Sequence, residues 1–147
     1  MIVYRSFKAL PSKFESTIIA LCPRYRPFNC SNVLNSWSLP NYPNLVLMEG
    51  AKISSHDDGG KFFQPMIIIR NSSWSIRGSS QKIKQLEPQN PGSILVLDIS
   101  KKHCVSGKGS PWLVLCWNPQ GSAPLKALFD IKFCVESLLS DIKSIGN

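Results

Sequence analysis

The spacing of apolar residues divides the chain into a helical start, a block of short strands and a helical end. Near the start, Ser12 and Glu15 stand three residues apart, as the N-cap and N3 residues of a capping box do. Apolar residues at helical spacing follow, so we expect a helix over roughly residues 12–22, ended by Pro23. The next segment, up to residue 43, mixes proline, asparagine and aromatic residues, which predicts a loop containing at most one short strand.

Between residues 44 and 118 the pattern changes to short apolar and β-branched runs separated by turn residues. About seven or eight such runs are typical of a sandwich or jelly-roll. The predicted strands, given from N- to C-terminus, are Leu45–Met48, 51–56, Pro65–Arg70, Ser73–Arg77, Lys82–Leu86, Ser93–Asp98 and Pro111–Trp117.

After Pro124 the apolar residues return to helical spacing and predict an amphipathic helix over 124–145. We expect this helix to pack on the outside of the sheet, and a dimer contact is the alternative. The predicted fold is mainly β with flanking helices, a double-stranded β-helix or jelly-roll. It forms one domain over 1–147, comprising an N-terminal helix with a lid-like loop (1–43), a core (44–118) and the C-terminal helix.

Composition narrows the class of protein. The chain has 147 residues, of which 43% are hydrophobic and 18% charged, which excludes a disordered chain. Five cysteines at irregular spacing, without Cys-x-x-Cys, argue against a disulfide framework or a zinc knuckle and favour reduced thiols. Without a long apolar run or a signal peptide, we expect a soluble intracellular protein. The net charge of +8 favours an anionic partner such as nucleic acid.

The two histidines of the chain are the candidate metal ligands. His56 and Asp58 are two residues apart, so in a strand both side chains point to the same face. In a jelly-roll, a late strand can bring His103 beside this pair. Two imidazoles and one carboxylate on one face form the facial triad of non-haem Fe(II) oxygenases, which leaves coordination positions open. Zinc fits the same ligands.

The residues around these ligands form a recognisable series. The elements are Pro27-Phe28-Asn29, Glu49-Gly50, His56-x-Asp58-Gly59, Phe63-x-Pro65, Leu86-Glu87-Pro88 and Pro91-Gly92-Ser93-Ile94-Leu95-Val96-Leu97 before His103. In order and spacing this series resembles the AlkB-like branch of the Fe(II)/2-oxoglutarate dioxygenases, over roughly residues 27–117.

The resemblance implies that His56, Asp58 and His103 hold Fe(II) and that 2-oxoglutarate is the co-substrate. It implies an oxygenase that hydroxylates or demethylates its substrate, with a methylated base in single-stranded nucleic acid as the first hypothesis. One alternative is a hydroxylase of a protein or small molecule. Another is a jelly-roll binding protein without turnover.

The chain departs from the family in its last core strand. There the family carries an arginine that binds the distal carboxylate of 2-oxoglutarate, whereas Pro111–Trp117 contains no basic residue. Since a guanidinium fork suits a carboxylate, arginines on earlier strands are the main substitutes. The candidate co-substrate residues are Arg70, Arg77 and Lys108. The candidate substrate-binding residues are Arg24, Arg26, Trp37 and Trp74.

Overall fold

The computed structural model describes residues 2–29, 33–59, 63–78, 90–120 and 123–145. The strand expected over 82–86 lies outside these residues. The described elements, in chain order, are β1 (Ile2–Ser6), α1 (Phe14–Ala20), β2 (Leu34–Leu39), β3 (Tyr42–Gly50), β4 (Ile53–His56), β5 (Phe63–Arg70), β6 (Ser75–Gly78), β7 (Ser93–Asp98), β8 (His103–Ser106), β9 (Trp112–Trp117) and α2 (Pro124–Ile145).

From β3 to β9 the described strands alternate between two antiparallel sheets. The odd-numbered strands belong to a six-stranded sheet in the order β1-β7-β5-β9-β3-β2, and the even-numbered ones form a three-stranded sheet in the order β4-β8-β6. Between β3 and β9, described strands that follow one another in the sequence therefore lie in different sheets. The prediction of a mainly β fold with an N-terminal and a C-terminal helix is confirmed.

The centre of the six-stranded sheet is covered on both faces. Helix α2 packs on β3, β5 and β9, and α1 contacts both α2 and β5. Strand β9 is buried at all six positions, and β5 at six of its eight. Burial on both faces explains why these strands read as nearly continuous apolar runs instead of alternating ones. The helix predicted over 124–145 is confirmed with those bounds.

The N-terminal helix begins differently from the prediction. It spans Phe14–Ala20, its N-cap residue is Lys13, and no side chain caps it. The predicted capping box is wrong because Glu15 is used elsewhere, its Oε1 accepting a hydrogen bond from Arg70 Nε at 2.7 Å. A contact between distant parts of the chain therefore replaces the local cap.

Two strands, β1 and β8, were not predicted, and β1 pairs with β7. β8 is only four residues long and reads His-Cys-Val-Ser, so it carries little apolar pattern. β2 lies in the segment where one short strand was expected at most, and it pairs with β3 with a register shift at its end. Within the described ranges, no helix is long and apolar enough to cross a membrane.

The buried thiols give a first prediction. Burial raises the pKa of Cys22 and of Cys134 to about 11 and that of Cys116 to about 12. Because only the thiolate reacts, we expect these three to resist iodoacetamide in the native protein at about pH 8. Cys104 is only half-buried and should be modified before these three. Peptide mass mapping after a short exposure tests this, and labelling of Cys116 as fast as Cys104 would contradict it.

Candidate metal centre

The two histidines face each other across neighbouring strands of the three-stranded sheet. Strands β4 and β8 run antiparallel, and His56 lies directly opposite His103 in their register. Directly opposed residues project to the same side of a sheet with their Cβ atoms about 5 Å apart. The two imidazole centroids accordingly lie 4.4 Å apart. Strand pairing thus joins residues 47 positions apart in the sequence.

Asp58 completes the group from outside the strand. β4 ends at His56, so the alternation of a strand does not place Asp58. Its backbone N–H instead donates to the carbonyl of Ile99 at 2.9 Å, in the segment that leads into β8. Its carboxylate lies between the imidazoles, with Oδ1 3.5 Å from Nε2 of His56 and Oδ2 3.5 Å from Nε2 of His103. The expected trio is therefore brought together, although by a different local geometry.

Backbone carbonyls fix the orientation of both imidazoles. His56 Nδ1 lies 2.8 Å from the carbonyl oxygen of Ser54, and His103 Nδ1 lies 2.8 Å from that of Lys101. A carbonyl can only accept, so each Nδ1 carries the proton and donates. In a neutral imidazole the lone pair is then on Nε2, on the side where Asp58 lies. Metal-binding histidines in proteins are commonly oriented in this way, by a hydrogen bond from the ring nitrogen that does not bind the metal.

The donor set fits a divalent metal ion. One nitrogen from each histidine and one oxygen of Asp58 lie within 4.8 Å of one another. The side chain of His103 is only 7% exposed, whereas His56 and Asp58 are 39% and 43% exposed, so one side of the group is open. Two imidazoles and a carboxylate suit Fe(II) or zinc, and the open side leaves room for further ligands.

The three ligands border a cavity of about 270 Å³ whose lining residues come from both sheets. On the six-stranded sheet, the cavity side holds alternate residues of each strand, such as Met48, Val114 and Leu95. On the three-stranded sheet, Ile53 and Val105 lie opposite each other beside the histidine pair. The candidate metal site therefore forms one part of a mostly apolar cavity.

Arg70, the first candidate for binding the co-substrate, sits at the rim of this cavity. The register of β5 with β9 shifts between Ile68 and Arg70, which is a bulge that reverses the alternation. Arg70 therefore lies opposite Leu113, as Glu49 does on the other side of β9. That is the face of the sheet on which the helices pack.

The guanidinium of Arg70 is bound there by two carboxylates. Its Nη1 donates to Glu49 Oε2 at 2.7 Å and to the carbonyl of Pro111 at 3.0 Å, and its Nε donates to Glu15. Burial lowers the pKa of Arg70, yet the hydrogen bonds that it donates to Glu15 and Glu49 raise this pKa above its usual value overall. Among the described residues Arg70 is the only lysine or arginine that borders the cavity, and its charge is already neutralised.

The other two co-substrate candidates lie outside the cavity lining. Arg77 is exposed on β6 and lies opposite Cys104, the neighbour of the inward-facing His103. Because neighbouring residues of a strand point to opposite faces, Arg77 belongs to the outer face of the three-stranded sheet. Lys108 is exposed in the turn between β8 and β9. The described structure thus brings neither residue to the metal ligands.

The substrate candidates are scattered. Trp74 is buried and borders the cavity, and its indole N–H donates to the carbonyl of Ser110 at 2.7 Å. Trp37 lies opposite Leu47, on the face of the sheet away from the cavity, and packs on Tyr25 with ring centroids 4.6 Å apart. Arg24 and Arg26 are exposed and do not border the cavity.

Several cavity residues were not singled out from the sequence. They are the inward-facing residues of β3, β4, β5 and β7, such as Met48, Ile53, Met66 and Leu97. The signal that could have found them is the alternation of inward- and outward-facing residues along each strand. Strands that are buried on both faces are apolar at nearly every position, so the sequence does not show which residues face the cavity. Comparisons of the chain with family models, with curated proteins and with solved structures find no match.

Proposed function

We propose that this protein is an Fe(II)-dependent oxygenase of the jelly-roll type with 2-oxoglutarate as its co-substrate. The observation that carries the proposal is the group formed by His56, Asp58 and His103, with both Nε2 atoms turned toward one carboxylate. The two-imidazole, one-carboxylate donor set suits Fe(II) or zinc, and the choice of Fe(II), like that of the co-substrate, follows from the family resemblance.

The strand connections support the jelly-roll part of the proposal. A double-stranded β-helix forms when successive strands wind between two facing sheets. Strands β3 to β9 alternate in this way, and the cavity is lined from both sheets.

The chain's own residues would each have a defined part in this chemistry. His56 and His103 present oriented lone pairs, and Asp58 supplies the negative charge that a divalent ion needs. Bound Fe(II) would supply the activation of O₂. The apolar walls of the cavity exclude water from the space beside the ligands, which protects reactive species from side reactions.

One observation favours a second candidate function. 2-Oxoglutarate carries a distal carboxylate, and the one cationic side chain at the described cavity wall is already bound by Glu15 and Glu49. The described residues therefore do not offer this carboxylate the arginine that the family uses. The second candidate is a metal-binding jelly-roll protein without 2-oxoglutarate turnover.

The positions of the basic and aromatic candidates bear on the substrate. Binding of single-stranded nucleic acid combines a cationic groove with aromatic rings for stacking. Trp37 lies on the face opposite the cavity, and Arg24 and Arg26 do not border the cavity. This placement favours a small-molecule substrate over a methylated base.

An anaerobic titration with Fe(II), followed by 2-oxoglutarate, tests the proposal. We expect a visible metal-to-ligand charge-transfer band when both are present, because the 2-oxo acid chelates the ion through its open positions. His103→Ala is the control and should show no band, since it lacks one ligand. Release of succinate in air then measures turnover directly.

The result separates the candidate functions. A band together with succinate supports the proposed oxygenase. Fe(II) binding without a band would contradict 2-oxoglutarate as the co-substrate and favour the second candidate. Failure of wild-type protein to bind any divalent ion would refute both.

A further inference from the structure

Three of the four polar side chains that border the cavity beside the metal ligands are bound to other protein groups. These three are Gln64, Arg70 and Asn71, and the fourth is the small hydroxyl of Ser75. Gln64 Nε2 donates to the carbonyl of Trp117 at 3.4 Å. Asn71 Nδ2 donates to the carbonyl of Trp74 at 3.2 Å, and its Oδ1 accepts from the Trp74 backbone N–H at 3.3 Å. With Arg70 bound by its two glutamates, these side chains offer a ligand little polar recognition.

Both tryptophans of the cavity present only apolar ring surface. The indole N–H of Trp74 donates to Ser110, and that of Trp112 donates to the carbonyl of Ala51 at 2.7 Å. An indole has a single donor and no acceptor, so its hydrogen-bonding capacity is used in both cases. The two rings therefore act as hydrophobic walls.

Aliphatic side chains form the rest of the described wall. Met48, Ile68 and Val114 occupy three neighbouring strands at one register level of the six-stranded sheet, and Leu95 and Leu97 continue the surface on β7. The exceptions to this apolar character are the metal ligands, the three bound polar side chains and the Ser75 hydroxyl. The cavity thus combines one metal-binding wall with hydrophobic walls.

We propose that this cavity binds an uncharged, largely apolar small molecule next to the metal ligands, as the substrate of the proposed oxygenase. The substrate role rests on the proposed function, whereas binding of the molecule by the cavity does not. Apolar ligands gain free energy in proportion to the surface they remove from water. An anion entering the same space would lose its hydration without meeting a free cation among the described residues, which costs several kcal/mol.

Two related fluorescent probes test the charge preference. N-phenyl-1-naphthylamine is uncharged, and 1-anilinonaphthalene-8-sulfonate carries the same ring system with one negative charge. We expect saturable binding of the neutral probe to the apo-protein, with emission enhanced in the apolar site. The charged probe should bind at least about tenfold more weakly, which corresponds to about 1.4 kcal/mol.

Substitutions that fill the cavity test whether the neutral probe binds there. Val114→Phe fills the space beside Met48 and Ile68, and should weaken binding of the neutral probe about tenfold or more. Met48→Trp fills the same space from the neighbouring strand and serves if Val114→Phe does not fold. Phe129→Ser is the control, because Phe129 is 70% exposed on α2 and offers the probe an alternative apolar surface. This control should leave the affinity unchanged.

The outcomes distinguish the inference from the proposed function. Equal affinity for both probes would overturn the inference, as would unchanged binding in the cavity-filling variants or lost binding in Phe129→Ser. Co²⁺ titration of the same samples reports separately on the metal site. Selective binding of the neutral probe without Co²⁺ binding would support the apolar cavity and refute the oxygenase. Co²⁺ binding without selective probe binding would refute the apolar cavity and leave the proposed oxygenase standing.

Discussion

Replacing Asp58 by asparagine should abolish tight metal binding, while the same substitution at Asp57 should leave it intact. Asp58 is the one carboxylate placed between the Nε2 atoms of His56 and His103. The change removes the negative charge and keeps the shape of the side chain. Because Asp58 is 43% exposed, its substitution should not disturb the core.

The expected loss is large. Removing a residue that only orients a metal ligand lowers metal affinity about 10–100-fold, so loss of a charged ligand should reach at least the upper end of this range. Titration with Co²⁺, followed by its visible absorption, measures the affinity. At a metal concentration about 100 times the dissociation constant, binding should stabilise the wild type by about 2.7 kcal/mol. For a domain of this size that raises the melting temperature by roughly 5–10 °C.

Asp57→Asn is the matched control, since it changes the net charge equally one residue away. Asp57 is exposed and is not part of the candidate ligand group. It should bind Co²⁺ like the wild type and show the same thermal shift. Equal loss in both variants would mean that general electrostatics, and not coordination, attracts the ion. Wild-type affinity in Asp58→Asn would exclude Asp58 as a ligand.

The sequence was sufficient to predict the candidate trio and a mainly β fold with an N-terminal and a C-terminal helix. A chain with two histidines leaves few combinations, and the expected winding of the strands allowed a late strand to bring His103 beside His56 and Asp58. The strand over Ser93–Asp98 and the helix over Pro124–Ile145 have the predicted bounds because their apolar periods are long and uninterrupted.

Contacts between distant residues explain what the sequence could not provide. Asp58 is positioned by its bond to Ile99, not by strand alternation. A bulge places Arg70 at the edge of the cavity on the helix-covered face of the sheet, and a bulge has no signal in the run Met-Ile-Ile-Ile-Arg. Glu15 accepts a hydrogen bond from Arg70 instead of capping its own helix. Each difference arises where a tertiary interaction outweighs a local preference.

The second large effect is expected when Arg70 is replaced, and it concerns the stability of the protein. Arg70→Met should destabilise the protein by about 3–5 kcal/mol, because it leaves a buried carboxylate without its cation. That carboxylate belongs to Glu49, which is 2% exposed. It would retain only hydrogen bonds from the hydroxyl of Tyr25 and the backbone N–H of Phe28. Urea denaturation of the wild type and the variant measures the difference in free energy of unfolding.

The double variant Arg70→Met/Glu49→Gln identifies the cause of this loss. It removes the unpaired charge, so it should recover much of the stability lost in Arg70→Met alone. Arg24→Met, at an exposed position after α1, is the control and should change stability by no more than about 0.5 kcal/mol. Because Arg70 points to the helix-covered face, Arg70→Met should retain the Co²⁺ affinity of the wild type wherever it remains folded. A stable Arg70→Met variant that loses binding of 2-oxoglutarate would instead make Arg70 the residue that binds the co-substrate carboxylate.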